Sequence, residues 1–353
     1  MALARRCRRL LRGLIPPMTR RRQVITGALL MALGLVLAVV VPSPYVDLAR
    51  VVLTELDELD LAPYGSVLVL APHADDETLG AGGLLMAAQR AGLQAHVVVA
   101  TNGDGYLTAT MRDFQRLFPT AADFRRMGTI RQQETLAAVG ILGLDDAQVL
   151  FLSYPDRGLL PMLRQYWEHD RPLRSYYIEA SSSPYPLTYN PEATYSGADL
   201  LADLTAILRQ ERPDLVVIPH PVDEHPDHRA LAAFARLALA TLQEEDPAYR
   251  PDVLAYPIHS EQYPFPPRKG LNLGAMLLPP PALAQVSEGW VRLSLSEEDA
   301  VRKYLAIGAY RSQYATLRSL LEAFARANEV FVPVETAQPL VTLAEGEPFR
   351  PDT

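Results

Sequence analysis

Ser66-Val67-Leu68-Val69-Leu70-Ala71-Pro72-His73-Ala74-Asp75-Asp76-Glu77 is the stretch on which the fold turns. Its first five residues are an apolar run of strand length. The run enters a turn bearing one histidine and three acids, and 79–91 then continues with helical spacing to a stop at Gly92. A second strand is expected at 95–100. Working outward, the pattern predicts a helix over 129–142 ending near Gly143, a strand at 148–152 and a helix over 197–212. A buried strand at 214–218, a helix over 226–244 and a strand at 253–256 follow. Strands alternating with helices of this length imply an α/β fold, a Rossmann-like, mostly parallel sheet with helices on both faces. Residues 153–196 and 257–291 break the rhythm. Both are rich in proline and aromatics and too long for simple connections, so they are expected to be insertions over the site. A charged amphipathic helix over 296–328 is expected to close the domain. No internal repeat is visible.

The composition narrows the function classes. The 353 residues carry a formal charge of −8 and 49% hydrophobic residues. Eight arginines (Arg5, Arg6, Arg8, Arg9, Arg12, Arg20, Arg21 and Arg22) sit in the first 23 residues with no acid among them, which leaves −16 for the rest. A folded part that acidic lacks the basic footprint needed to hold a phosphate backbone, so no nucleic-acid partner is expected. Residues 24–41 form an apolar run whose only polar member is Thr26, and as a helix it would span about 27 Å, enough to cross a bilayer. The alternatives are a buried core helix, opposed by the arginine flank and by Pro42 and Pro44, and a cleaved signal peptide, opposed by the lack of a small-x-small cleavage site. With arginines before the span and Asp47, Glu55, Asp57, Glu58 and Asp60 after it, the positive-inside rule expects a single-pass membrane protein with its catalytic domain extracytoplasmic. Met1 and Met18 are both candidate starts. The one cysteine, Cys7, lies before the span, so the main domain must be stable without a disulfide.

Two clusters carry the chemistry. His73, Asp75, Asp76 and Glu77 fall where the first strand ends, the position that opens into the ligand crevice of an α/β sheet. His73 and Asp76, three apart across a turn, suit one metal ion, with Asp75 left to handle a proton. The competing reading is an acidic helix N-terminus that complements the helix dipole. Gly80-Ala81-Gly82-Gly83 is no dinucleotide fingerprint: three carboxylates in the loop before it would repel a pyrophosphate, and these glycines are expected to serve close packing of helix on sheet. The second cluster, His220-Pro221-Val222-Asp223-Glu224-His225-Pro226-Asp227-His228, follows the strand at 214–218 and opens a helix. Across the topological switch point the two clusters would face each other. Two histidines and one carboxylate around a water make an open catalytic zinc site.

These motifs, His73-Ala74-Asp75-Asp76-Glu77 and His225-Pro226-Asp227-His228, resemble those of the PIG-L (LmbE-like) zinc deacetylases, which deacetylate N-acetylglucosamine units in glycolipids and in the precursors of small thiols. The resemblance covers about residues 64–256. It implies that His73, Asp76 and His228 bind Zn2+ and that Asp75 is the general base. It further implies that His225, oriented by Asp227, stabilises the oxyanion or protonates the leaving nitrogen. Arg131 and Glu134 look like the family's substrate-facing helix start, and Asp156 in Tyr154-Pro155-Asp156 like its sugar-contacting acid. For Arg131 and Glu134 a surface i, i+3 charge pair is the competing account. Ala74 replaces the family's usual proline, and Glu224 precedes His225 where some sugar deacetylases carry Tyr-Gly. Tyr166, Trp167, Tyr176, Tyr177, Tyr185 and Tyr189 are candidate sugar-stacking residues or simply pack their loop.

The expected organisation is a basic cytoplasmic segment (1–23), a transmembrane anchor (24–41), a linker (42–63), a deacetylase domain (64–335) and a C-terminal tail (336–353). The expected function is removal of an N-acetyl group from an N-acetylglucosamine-containing glycan or glycolipid. The alternatives are a zinc amidase acting on another N-acyl conjugate and a non-catalytic glycan-binding module.

Overall fold

The computed structural model describes residues 56–261, 263–267 and 270–335. The basic segment 1–23, the expected anchor 24–41 and the tail 336–353 lie outside the described residues. Among the described residues no helix is long and apolar enough to cross a membrane.

Five parallel strands form the centre of the sheet: β2 (Ser66–Ala71), β3 (Gln94–Thr101), β4 (Val149–Tyr154), β5 (Leu215–Pro219) and β6 (Asp252–Tyr256), in the order β4-β3-β2-β5-β6. Their apolar runs do not alternate with polar residues because helices cover both faces. Val67 pairs with Leu215 and Val69 with Val217, while the other edge of β2 pairs with β3. Strand order therefore reverses at β2, and the loops after β2 and β5 open side by side into one crevice. Beyond β6 the sheet continues with β8 (Asn328–Pro333) and β7 (Val291–Ser294), each antiparallel to its neighbour, and ends with β1 (Asp57–Glu58), parallel to β7. The sheet is thus mixed, a parallel core with an antiparallel extension.

Helices α4 (Leu159–Arg164), α5 (Gly197–Glu211) and α6 (Pro226–Glu245) cover one face, where Leu159, Leu204 and Phe234 pack with Leu68, Leu70 and Ile218. On the other face lie α1 (Asp76–Ala91), α3 (Ala121–Leu142), α8 (Glu297–Ile307) and α9 (Arg311–Leu321), with Leu84, Leu142, Ile307 and Leu321 against Val67, Val69 and Val217. Two short helices, α2 (Leu107–Asp113) and α7 (Pro281–Ala284), complete the set described. The glycines of α1 do serve packing. A Cβ on Gly80 would run into the Tyr256 ring, and one on Gly83 into Leu295 and Glu329. Buried Glu329 of β8 accepts the Gly83 and Leu84 N–H groups at 2.6 and 2.9 Å and pairs with buried Lys303, which also donates to the Leu79 carbonyl. That knot ties the C-terminal elements to the helix that carries the first motif.

Three expectations need correction. The helix over 296–328 is several elements. Ser296 caps α8 by accepting the Asp299 N–H, the chain turns at Gly308, α9 runs into a 3-10 turn at Glu322–Phe324, and Asn328 opens β8. Strand β8 starts at the last residue of the expected helix, and its Val330, Phe331 and Val332 are buried where it pairs with β7 and with the β6 edge. Helix α3 begins at Ala121, eight residues before the expected 129, because Thr120 and Asp123 form a capping box there. The linker expected over 42–63 ends early as well. Asp57 and Glu58 join the sheet, where the Glu58 carboxylate accepts the Ser294 N–H.

Candidate active site

The first motif loop is held in a demanding conformation. Asp75 has φ 120°, a region that L residues rarely adopt, so surrounding contacts must maintain it. Its N–H donates to Glu77 Oε2 at 3.1 Å. Glu77, itself fully buried, accepts at Oε1 from the hydroxyls of Thr78 and Tyr310. From the other side Arg131 donates to the carbonyl oxygens of Ala74 and Gly103 at 2.6 and 2.7 Å, with its Nη2 3.8 Å from Asp75 Oδ1. Gly103, at φ 59°, lets the guanidinium in: a Cβ there would collide with it.

The two motifs converge as the strand order requires. Asp76 Oδ2 lies 3.1 Å from His73 Nδ1 and 3.1 Å from His228 Nε2. Donor atoms of His73, His225 and His228 lie within 4.8 Å of one another, as do those of Asp76, His228 and His259. The residues fit a metal. Tetrahedral coordination with bonds of about 2.0–2.1 Å places ligand atoms roughly 3.3 Å apart, close to these separations. Neither nitrogen of the fully buried His228 ring makes a hydrogen bond, although Asp76 stands beside Nε2 and Asp223 Oδ2 lies 3.3 Å from Nδ1. A carboxylate behind one nitrogen leaves the other to face an ion.

Electrostatics divide the histidines into two groups. Burial works against a charged His73, but hydrogen bonds to Asp227 and Asp76 and the nearby Asp156 raise it well above the ordinary imidazole range. His228 likewise overcomes burial through Asp223 and Asp76 and rises to about 9. Carboxylates that favour a proton on these rings also favour a cation in its place. His225 goes the other way. Burial, followed by the His73 charge, pushes it down to about 3. His259 falls to about 4 through burial and His228. Burial and then the Asp76 charge raise Asp75 well above the carboxylate range.

Of the residues singled out in the sequence, His73, Asp75, Asp76, Arg131, Asp156 and His225 line one cavity of about 390 Å³. Asp227 reaches His225 through its backbone: its N–H donates to His225 Nδ1 at 3.3 Å, which makes His225 the N-cap of α6. The Asp227 carboxylate instead accepts the N–H groups of Arg157 and Leu159 and lies 3.3 Å from His73 Nε2. Glu134 does not line the cavity. Its carboxylate accepts the Ser312 N–H and hydroxyl, fastening α3 to the start of α9. Arg131 and Glu134 are both buried, so a solvated charge pair does not describe them. None of the six candidate stacking aromatics lines the cavity. Trp167 stacks on Phe234, and Tyr185 donates to Asp104. His220 stacks on Trp290, away from the site.

Sequence reasoning missed His259, Glu77's role, Asp223, Asp104 and the C-terminal residues Tyr310 and Ser312. For His259 a signal existed, since it follows strand β6 at the same end of the sheet as both motifs. Nothing local marks Tyr310 or Ser312, whose partners are more than 170 residues away in the chain.

Residues 68–239 match the family model described as GlcNAc-PI de-N-acetylase, PIG-L. No curated protein matches the chain by sequence. Among solved structures, N,N'-diacetylchitobiose deacetylase from Pyrococcus horikoshii is 19% identical, with 78% of this chain and 85% of that one covered and a TM-score of 0.48. A deacetylase of the teicoplanin biosynthesis pathway is 19% identical over 76% of this chain and 97% of its own, with a TM-score of 0.46. The 4-carboxy-2-hydroxymuconate hydratase GalB from Pseudomonas putida is 21% identical over 73% and 82%, with a TM-score of 0.45. Over residues 68–239 the chain carries a domain of the PIG-L family.

Proposed function

We propose that this chain is a zinc-dependent N-deacylase of amino sugars, with N-acetylglucosamine-containing glycans or glycolipids as the expected substrate class. The observation that carries the reading is the convergence of His73, Asp76 and the buried His228, with an additional carboxylate, Asp75, lining the cavity beside His73 and Asp76. A glycan-binding module has no use for that fourth group. A dication held by His73, Asp76 and His228 would acidify a water and polarise the amide carbonyl.

The remaining chemistry belongs to side chains. Asp75, raised by burial and by Asp76, is placed to accept a proton from the attacking water. His225 Nδ1 accepts the Asp227 N–H, so the neutral ring carries its proton on Nε2. Its low pKa keeps it a neutral donor toward the oxygen that gains charge in the transition state. Asp156 and Arg157, on the cavity wall, offer an acceptor and a donor suited to sugar hydroxyls, whereas the Arg131 guanidinium is engaged by the Ala74 and Gly103 carbonyls.

The place of action is a further part of the proposal: residues 24–41 and the eight preceding arginines support a membrane tether with the domain extracytoplasmic. The deciding experiment is amine release from N-acetylglucosamine conjugates by the full-length chain, purified and loaded with zinc. A preparation that holds about one zinc per chain and releases no amine from any N-acyl amino sugar would overturn the reading.

A further inference from the structure

One side of the cavity has no part in the chemistry above. Leu317, Leu320, Leu321 and Phe324 recur at i, i+3, i+4 and i+7 and face the cavity together with Leu79 of α1 and Ile258 after β6. Single exposed leucines mean little, but here Leu317 and Leu320 remain 36% and 42% exposed in the same cavity as the buried His73, Asp75 and Asp76. The two sides of the cavity belong to opposite faces of the sheet. Leu79, Ile258, Leu321 and Phe324 are part of the core shared with α1, α3 and α8. Asp156 and Arg157 follow β4, and the Arg157 N–H donates to Asp227 on α6 at 2.7 Å, on the other face. His73 Nε2 lies 3.5 Å from Asp156, Asp75 opens the helix that carries Leu79, and both line the cavity with His225.

The substrate amide has the same polarity as the cavity. Its nitrogen is attached to the sugar and its carbonyl carbon to the acyl chain, so the two extend in opposite directions from the scissile bond. With sugar hydroxyls on Asp156 and Arg157, the acyl chain is directed to the leucine wall. We propose that this wall is an acyl-chain subsite and that the chain hydrolyses amino sugars carrying a fatty acyl group of several carbons in preference to acetyl. The inference rests on the deacylase reading above. Water adds to the carbonyl carbon, the C–N bond breaks with its electron pair going to nitrogen, and nitrogen takes a proton. A fatty carboxylate and a free amino sugar leave, with no redox partner required.

The test uses the full-length zinc-loaded chain and methyl glucosaminides bearing N-acetyl, N-butyryl, N-hexanoyl or N-octanoyl groups. A second arm uses octyl N-acetylglucosaminide. The proposal expects kcat/KM to climb with acyl length, by up to about fourfold per methylene buried. It also expects the double variant Leu317→Asn, Leu320→Asn to lower the octanoyl-to-acetyl ratio by tenfold or more. Hydrolysis of the acetyl compound with rates that fall as the acyl chain lengthens overturns the subsite and leaves the deacylase reading standing. A gain from the octyl aglycone with none from the acyl chain also overturns it. Hydrolysis of none of the five compounds sinks the deacylase reading and the subsite together.

Discussion

The loops after β2 and β5 and the stretch from Tyr310 to Phe324 border the same cavity, yet they are written in very different ways. The loops concentrate chemistry in short words, four ionisable groups within 73–77 and three histidines within 220–228. The later stretch carries no motif. It supplies a hydroxyl to Glu77, two donors to Glu134 and an apolar wall. The difference teaches that a metal site needs particular elements at fixed spacing, whereas supporting and shaping it needs only suitable surfaces brought there by the fold.

The sharpest way to break this division is to remove the ligands. A His73→Ala, His228→Ala variant is expected to keep its far-ultraviolet circular dichroism, lose its zinc and lose detectable amine release. Elemental analysis reads the first loss directly. A folded variant that holds zinc at the wild-type level would show that the dense motifs are not the metal site.

Next in size is Asp75→Asn. The amide keeps the shape of the carboxylate and cannot take the proton, so a rate loss of roughly 100-fold or more is expected at unchanged zinc content. Turnover within a few-fold of wild type would remove Asp75 from the base role and leave the water to another group.

Tyr310→Phe tests the silent region. Tyr310 does not line the cavity. It holds Glu77, which accepts the Asp75 N–H and so maintains Asp75 at positive φ. Losing the hydroxyl leaves a buried carboxylate short of a donor, at a cost of about 1–3 kcal/mol in stability. Because the base is displaced while the cavity wall is not, kcat should fall several-fold with KM little changed. A purely structural role would lower the melting temperature and leave kcat per folded, zinc-bound molecule as it was.

How much was legible follows the same line. The parallel core could be read from apolar runs and helical spacing because burial on both faces leaves a simple pattern, and the switch point at β2 then brought the motifs together. Legibility failed where partners lie far apart in the chain. Strand β8, which begins where the expected helix ends, went unread because its reason for being extended is the open edge of β6, more than 70 residues earlier. Glu134 looked like a substrate contact because its true partner, Ser312, is 178 residues away. Helix α3 was a different failure, since Thr120 and Asp123 were there to be read.

The smallest expected effect on turnover lies inside the motif-bearing half and blurs the division usefully. Asp104, after β3, is buried beside Asp156, and these two influences, in that order, push its carboxyl up to about 7, while Tyr185 from the aromatic insertion donates to it at 2.6 Å. In the unfolded chain the same carboxyl titrates near 3.8. As pH rises from about 4, the unfolded state therefore gives up this proton first, so the group withdraws stability until the folded form also ionises near 7, with no further change above that. Asp104→Asn has no proton to lose there. Its stability relative to wild type should rise across pH 4 to 7, by about 4 kcal/mol for the span from 3.8 to about 7, and then level off. Any fixed cost of the substitution at the Asp156 N–H is the same at every pH, so the slope and not the offset is the readout. Urea titrations of both proteins at pH 4.5, 6 and 7.5 measure it. Parallel pH dependence in the two would mean that Asp104 is ionised throughout, and that Tyr185 and its neighbours stabilise the charge more than burial opposes it.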